Sequence, residues 1–425
     1  MQKIVVSLVV LLMTMSWSSC LKDDCTSHRT FIRLDPIYKS LDAIRSEFSI
    51  GVARDLKNPG KIYVYGNYLL INEINEGIHI IDNSNPAHPV PLSFVVISGN
   101  KDMAVKENVM YADNAIDLLA IDISDPESPK FLKRVDGVFQ KYYGWVGNQG
   151  NQSIFLGYTK STETQVLDCS DPNFNRNTFQ RGGGLWFSTD AFQNGGSSAA
   201  KAATGIAGSL SRFGVVGDYL YAIDQSELHV FYVDQPKDPK KGKSVQVSWN
   251  IETLFPYKDK LFIGAQNGMY IMDNKNPEAP VLLSSFTHAR ACDPVFVDGD
   301  IAYITLKDGS ECTNFINELD VVDISTITSP RLIKKYPMQN PHGLSILDKT
   351  LYLCEGKFGF KVYGVEDNKT IDKNLKAHLT AFHAYDVIAI SKAQLIVVGE
   401  NGLMQLDATD PKNIKSVSII PVVKN

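Results

Sequence analysis

One phrase recurs along the chain and restricts the fold more than any other feature. It first reads Gly77-Ile-His-Ile-Ile-Asp82-Asn-Ser-Asn-Pro86, followed by Pro89. It returns with drift as Leu118-Leu-Ala-Ile-Asp122 with Pro126 and Pro129, and as Gly268-Met-Tyr-Ile-Met-Asp273 with Pro277 and Pro280. Leu319-Asp-Val-Val-Asp323 with Pro330 and Gly402-Leu-Met-Gln-Leu-Asp407 with Pro411 are further copies. Leu228 to Asp234, followed by Pro236 and Pro239, is looser, and Phe360 to Glu366 lacks the prolines. Self-similarity at a period of about 40 residues marks a repeat architecture, in which one unit cannot bury its own apolar faces.

Upstream of each copy lies a turn followed by an apolar strand. Examples are Gly66-Asn-Tyr-Leu-Leu-Ile71, Gly217-Asp-Tyr-Leu-Tyr-Ala222 and Gly299-Asp-Ile-Ala-Tyr-Ile304. Each unit therefore reads strand, Gly/Asp turn, strand, loop, strand ending in Asp, Pro-bounded loop, strand. Proline stops that loop from extending the ladder. Short sheets of this kind bury both faces when stacked around an axis, and only short edges remain. The expected fold is all-β, a β-propeller of about seven four-stranded blades, with six or eight as the alternatives. The blades are expected at 61–97, 100–135, 208–247, 249–286, 290–338, 340–380 and 383–422.

A long insertion, 136–207, separates blades two and three. Its Gly clusters at Gly182–Gly184 and Gly195–Gly196 lack the strand–turn–helix context of a phosphate loop. A connection this long is functional or slack. It joins the outer strand of one blade to the inner strand of the next, so it is expected over the top face of the ring, as a lid or partner-binding loop.

The recurring phrase resembles the LVIVD-repeat family of bacterial propellers, named for a strand ending in Val-Asp or Ile-Asp. The resemblance covers about 61–135 and 208–422. It implies a propeller, commonly exported, and carries no catalytic residue to any position here.

The N-terminus is set apart from fold reasoning. Lys3 precedes an apolar run from Ile4 to Met15, and Trp17-Ser18-Ser19-Cys20 follows. This looks like a bacterial lipoprotein signal, 1–19, with lipidation at Cys20, although Trp17 stands where a Leu is usual. The alternative is an ordinary secretory peptide cleaved near Ser19. Leu21-Lys22-Asp23-Asp24 resembles the surface-export signal of Bacteroidetes lipoproteins. The expected location is the outer membrane, lipid-anchored and exposed at the cell surface, so the membrane is a partner through the anchor. Residues 20–60 read as a tether with one short amphipathic helix over 36–48 (Ile37, Leu41, Ile44, Phe48). Ser49 to Ala53 is expected to close the ring by pairing with the last blade. The propeller domain is 61–422. A net charge of −5 without a basic run gives no reason to expect nucleic acid.

Counting back from the apolar strand of each blade gives a column of polar residues: Lys61, Asp102, Arg212, Glu252, Asp293, His342 and Asp386. In a propeller these form a ring at the mouth of the central channel. Convergent polar groups in a concavity are a ligand site by default, and the carboxylates suit a hard cation. The competing expectation is that polar residues at a wet channel mouth simply pair with one another. No cofactor is expected beyond such a cation. His288, Arg290 and His383 lie on the same side, and Tyr142, Tyr143, Trp145 and Trp186 offer stacking surfaces.

Cys292 and Cys312 are expected to form a disulfide that staples a loop to the inner strand of blade five. Cys354, within Leu351-Tyr-Leu-Cys, reads as a buried thiol. The pairing of Cys25 and Cys169 is open.

Neither a His-Glu-x-x-His nor a Gly-x-Ser-x-Gly pattern occurs. The expected function is a surface-exposed binding or interaction scaffold, engaging a glycan, peptide or partner lipoprotein through its top face. A hydrolase or lyase with its site at the channel mouth, and a structural subunit of an envelope complex, are the alternatives.

Overall fold

A computed structural model describes residues 26–140, 145–146, 153–168, 178–181, 184–188, 201–202, 205–288, 294–307 and 316–423. The chain divides into two compact units. The smaller takes in the described residues of 1–36 and 158–192. Its sheet sets the strand that ends at Asp168, the strand that begins at Thr26, Gly184–Ser188 and Thr178–Arg181 as successive neighbours. Phe31 faces Ser188, and Leu34 faces Leu185.

The larger unit, from the described residues of 37–157 and 193–425, is the propeller. Seven antiparallel blades follow one another in chain order, six of them four-stranded sheets and the first widened to seven strands by flanking additions. Blade one consists of Pro59–Tyr65, Tyr68–Glu73, Gly77–Asp82 and Val90–Val96. The other six have inner strands Met103–Lys106, Phe213–Val216, Ile251–Tyr257, Val295–Asp298, Leu344–Leu347 and Ala384–Ser391. Each inner strand touches the next, and Gln394–Gly399 of blade seven returns against Pro59–Tyr65. A row of sheets that meets its own beginning is a closed ring.

The repeated residues have local reasons. Gly77 and Gly402 open the third strands of their blades at φ of 146° and 126°. A Cβ there would stand 2.0 Å from the Val95 carbonyl oxygen and 2.1 Å from that of Ile420, on the neighbouring fourth strands. Only glycine allows so close an approach at that φ. The recurring Asp ends the third strand and folds a turn on itself. Asp82, Asp122, Asp323 and Asp407 accept from the backbone N–H two residues on, at 2.8–2.9 Å. Such an Asx turn breaks the ladder before the Pro-bounded loop.

Ring closure differs from expectation. Ser49–Val52 pairs with Val90–Val96 at the rim of blade one, not with the last blade. Blade seven already draws four strands from Ala384–Pro421, so its outer edge needs no borrowed partner to complete the blade. Closure is instead made by side chains. Leu56, Ile62, Val64, Leu69 and Ile71 of the chain's beginning pack with Ile388, Ile396, Val398 and Leu403. Leu56 also bridges Val422 and accepts the Val423 N–H at 2.9 Å.

The helix is shorter than expected. The chain stays extended to Ser40, and α1 runs from Leu41–Ser46. Ser40 caps it, accepting the Ala43 N–H at 3.2 Å. Ile44 is buried, and Ile37 and Leu41 pack beside it against Ala115, Ile116, Ile154 and Leu156. Phe48 turns instead to Phe131, with ring centroids 5.3 Å apart.

Candidate functional site

In each blade the inner strand begins at the end where the second-to-third-strand turn lies, and this end is the top. The last part of the insertion does more than hang over it. Gly205–Ala207 pairs with Pro59–Tyr65 on the edge opposite the blade's second strand, which is the axis side. Residues 207–213 are buried throughout. They are tied to several blades. Gly208 donates to the Ile62 carbonyl at 3.2 Å, and the Lys61 ammonium donates to the Leu210 carbonyl. The Ser211 carbonyl accepts the Leu254 N–H of blade four at 2.7 Å, and the Ser209 hydroxyl accepts the Leu344 N–H of blade six at 2.8 Å. The insertion thus ends as a plug on the axis.

The polar column meets this plug. Asp102 is buried, and its carboxylate takes the Lys61 ammonium at 3.3 Å, the Ser211 hydroxyl at 3.3 Å and the Arg212 backbone N–H. The Arg212 guanidinium donates to the Ile223 carbonyl at 2.7 Å. Lys61, Asp102 and Arg212 are therefore brought together. The contacts described for the others are local. Glu252 accepts from the Gln266 amide at 3.0 Å. His342 is buried, bonds Asn340 at 2.8 Å, and lies 5.4 Å from the Tyr385 ring. Asp386 is buried and accepts the Val387 N–H at 2.5 Å. Asp293 lies outside the described residues.

Of the other top-side residues, His383 bonds Glu400 at 2.5 Å and stands beside Tyr385. Burial lifts the Tyr385 phenol to about 12. His288 lies near Phe286. Arg290, Tyr142 and Tyr143 fall outside the described residues, and Trp145 and Trp186 are strand residues. Cys20, Cys25, Cys169, Cys292 and Cys312, with the signal and the expected disulfide, also lie outside them. Cys354 is a free, buried thiol, and burial together with Asp386 pushes its pKa well up.

The sequence reading missed a set of buried acid–base pairs at one blade position. An acid at the end of the second strand faces a basic residue on the third. Blade one has Glu73 with His79, 2.8 Å apart. Blade three has Asp224 with His229 at 3.2 Å, and blade six has Glu355 with Lys361. All three acids are almost wholly inaccessible. Burial pushes the Glu73 carboxyl up, but His79 and the Lys57 and Asn58 amides outweigh it, so the group sits below the usual carboxylate range. Asp224 is depressed in the same way: His229 and the Ser226 and Glu227 amides outweigh burial. The available signal was an acid followed five or six residues later by His or Lys across the turn.

The family model for the LVIVD repeat matches residues 58–96, 99–137 and 289–337, the regions of blades one, two and five. No curated protein matches the sequence. Among solved structures, the computationally designed Ika8 protein is similar at a TM-score of 0.50 with 11% identity, over 88% of this chain and 92% of that one. BamB from Moraxella catarrhalis is similar at 0.46 with 7% identity, over 80% and 81%. A protein from Lactobacillus plantarum is similar at 0.47 with 13% identity, over 85% and 97%. At 11% identity the likeness to the designed protein is one of fold alone.

Proposed function

Since the chain carries LVIVD repeats and closes seven blades into a propeller, we propose that it is a binding scaffold that engages a glycan, peptide or partner lipoprotein through its top face. One observation supports this above others: the axis holds the chain's own residues 205–212, and Lys61 and Asp102 bind that segment through the Leu210 carbonyl, the Ser211 hydroxyl and the Arg212 N–H. A channel mouth filled from within suits a broad contact surface better than a deep small-molecule pocket. The top face of the later blades offers polar groups for such contact, among them the exposed Glu400 paired with the half-buried His383, which stands beside Tyr385. Lipidation at Cys20 and display at the outer surface belong to the same proposal, and rest on the signal-like N-terminus.

Crosslinking on whole cells, followed by purification of the protein, tests the scaffold reading. It expects one partner in stoichiometric yield, with capture reduced in a His383→Ala, Glu400→Lys variant. Turnover of glycans or peptides by the purified protein, abolished by replacing Glu252 and His342, overturns it in favour of a channel-mouth enzyme. Cys20→Ala should release the protein from the membrane fraction; retention there refutes the anchor.

A further inference from the structure

Blade three differs from blade one at the position of the buried acid–base pair. Blade one has His79 bonded to Glu73, and Gly77 opens its third strand. Blade three has His229 beside Asp224, and Glu227 stands where that glycine stood. A second carboxylate thus stands across the turn, on a residue that is only half-buried.

The pair itself is also built differently. Asp224 and His229 are 1% and 2% exposed. Asp224 Oδ2 and His229 Nε2 lie 3.2 Å apart, yet neither has a hydrogen-bond partner, not even the other. The remaining atoms of both groups are committed. Asp224 Oδ1 accepts the Ser226 and Glu227 N–H groups at 3.1 and 3.0 Å. His229 Nδ1 lies 2.8 Å from the Ser244 hydroxyl, and Phe139 packs edge-on against the ring. With the imidazole proton on Nδ1 and donated to Ser244, Nε2 presents a lone pair toward a carboxylate oxygen. A cation that both buried atoms can reach would give each a partner.

We propose that Asp224, Glu227 and His229 bind a divalent first-row transition ion such as Zn2+. One ligand atom from each lies within 4.8 Å of the others. Zinc takes imidazole nitrogen and carboxylate oxygen at about 2.0–2.2 Å, which places neighbouring ligand atoms roughly 3–3.6 Å apart. The Asp224–His229 spacing meets this already, and the half-buried Glu227 offers its carboxylate within 4.8 Å of both. The Ser244 contact supplies the outer-shell hydrogen bond that ligating histidines ordinarily have. A mixed imidazole–carboxylate set favours a transition ion over Ca2+, which takes oxygen alone. The ion would tie the end of the second strand of blade three to the start of its third.

The test titrates chelator-stripped, full-length protein with Zn2+ by calorimetry and with Co2+ by visible absorption. The expected result is one ion per chain at this site and a Co2+ ligand-field spectrum. Glu227→Gln and His229→Gln should each weaken that binding at least tenfold, and Ser244→Ala about tenfold. His79→Gln, at the equivalent place in blade one, should leave it unchanged. Glu227 is half-buried, so its variant reports even if His229→Gln fails to fold. Absence of binding to the wild-type protein, or binding that Glu227→Gln leaves intact, overturns the proposal.

Discussion

Ser209 and Leu344 are 135 residues apart in the chain, and the Ser209 hydroxyl accepts the Leu344 backbone N–H at 2.8 Å. The bond joins the end of the insertion to the inner strand of blade six. Within three residues the same segment also binds blades one, two and four, through Leu210, Arg212 and Ser211. Inner strands that otherwise touch only their ring neighbours are thereby connected across the axis.

The plug can be loosened at that bond. Ser209→Ala leaves the Leu344 N–H buried and without its partner, at a cost of about 1–3 kcal/mol. Asp102→Ala removes the acceptor shared by Lys61, Ser211 and Arg212, and should cost more, about 3–5 kcal/mol, because the largely buried lysine loses this counter-charge. Amide hydrogen exchange should show residues 206–212 losing protection in both variants, with the blade strands Leu261 and Val397 little changed.

Much of the ring was legible because its determinants are local. The glycines that open third strands and the aspartates that close them act within a few residues, through φ and through Asx turns, so the phrase written in the sequence is the blade itself. Lys61, Asp102 and Arg212 were legible as a column, since they hold equivalent places, whereas in blades four and six that place belongs to Thr253 and Gly343, one residue after Glu252 and His342. The partner of Lys61, Asp102 and Arg212 was not legible. Gly205 to Arg212 carries no periodicity and no charge pattern that tells of the inner strand of blade one or of blade six, and its contacts span up to 149 residues. The expected strand exchange at ring closure failed for a related reason: Ser49–Val52 reads as a strand, but its register partner depends on which edge stands open in space. The acid–base pairs went unread because Asp224 and His229 look like ordinary turn and strand residues until the ladder sets them face to face.

The blade-one pair gives a pH signature. The Glu73 carboxyl sits below its usual value in the folded state, so its contribution to stability is fully present above the unfolded value near pH 4.3. It is lost as pH falls through the lower, folded value. Glu73→Gln should therefore destabilise the protein by about 3–5 kcal/mol at pH 7 and by much less at a pH below the folded value. Urea unfolding at both pH values measures the difference.

Asp320 has the opposite sign. It lies fully buried on the third strand of blade five, and desolvation raises its carboxyl to about 6 despite Lys335 at 3.3 Å. A carboxyl raised in the folded state binds its proton more tightly there than in the unfolded chain. Stability from this group is thus present below the unfolded value near pH 3.9 and is lost as pH rises to about 6. A shift of this size is worth roughly 2–3 kcal/mol. Asp320→Asn should flatten the stability profile between about pH 4 and 6, and unfolding curves at intervals across that window will show whether the downward slope disappears.

Ring closure offers the sharpest energetic test, because one reciprocal pair spans it. The Asn83 amide donates to Gln405 Oε1 at 3.0 Å, and the Gln405 amide donates back to Asn83 Oδ1 at 2.6 Å. Both side chains are buried, one in blade one and the other in blade seven. Gln405→Ala strands the Asn83 amide away from water, at about 2–3 kcal/mol, and Asn83→Ala, which leaves Gln405 its bonds to Pro86 and Gln394, should cost about 1–2 kcal/mol. Gln405 also donates to the Pro86 carbonyl at 3.1 Å, so Gln405→Ala is the costlier of the two. The double variant leaves neither amide unpaired, and its loss should fall short of the sum of the singles by about 1–2 kcal/mol. Equilibrium unfolding of the four proteins measures that coupling. A coupling near zero would mean that the first and last blades are held by the apolar cluster around Leu56 and Ile396 alone.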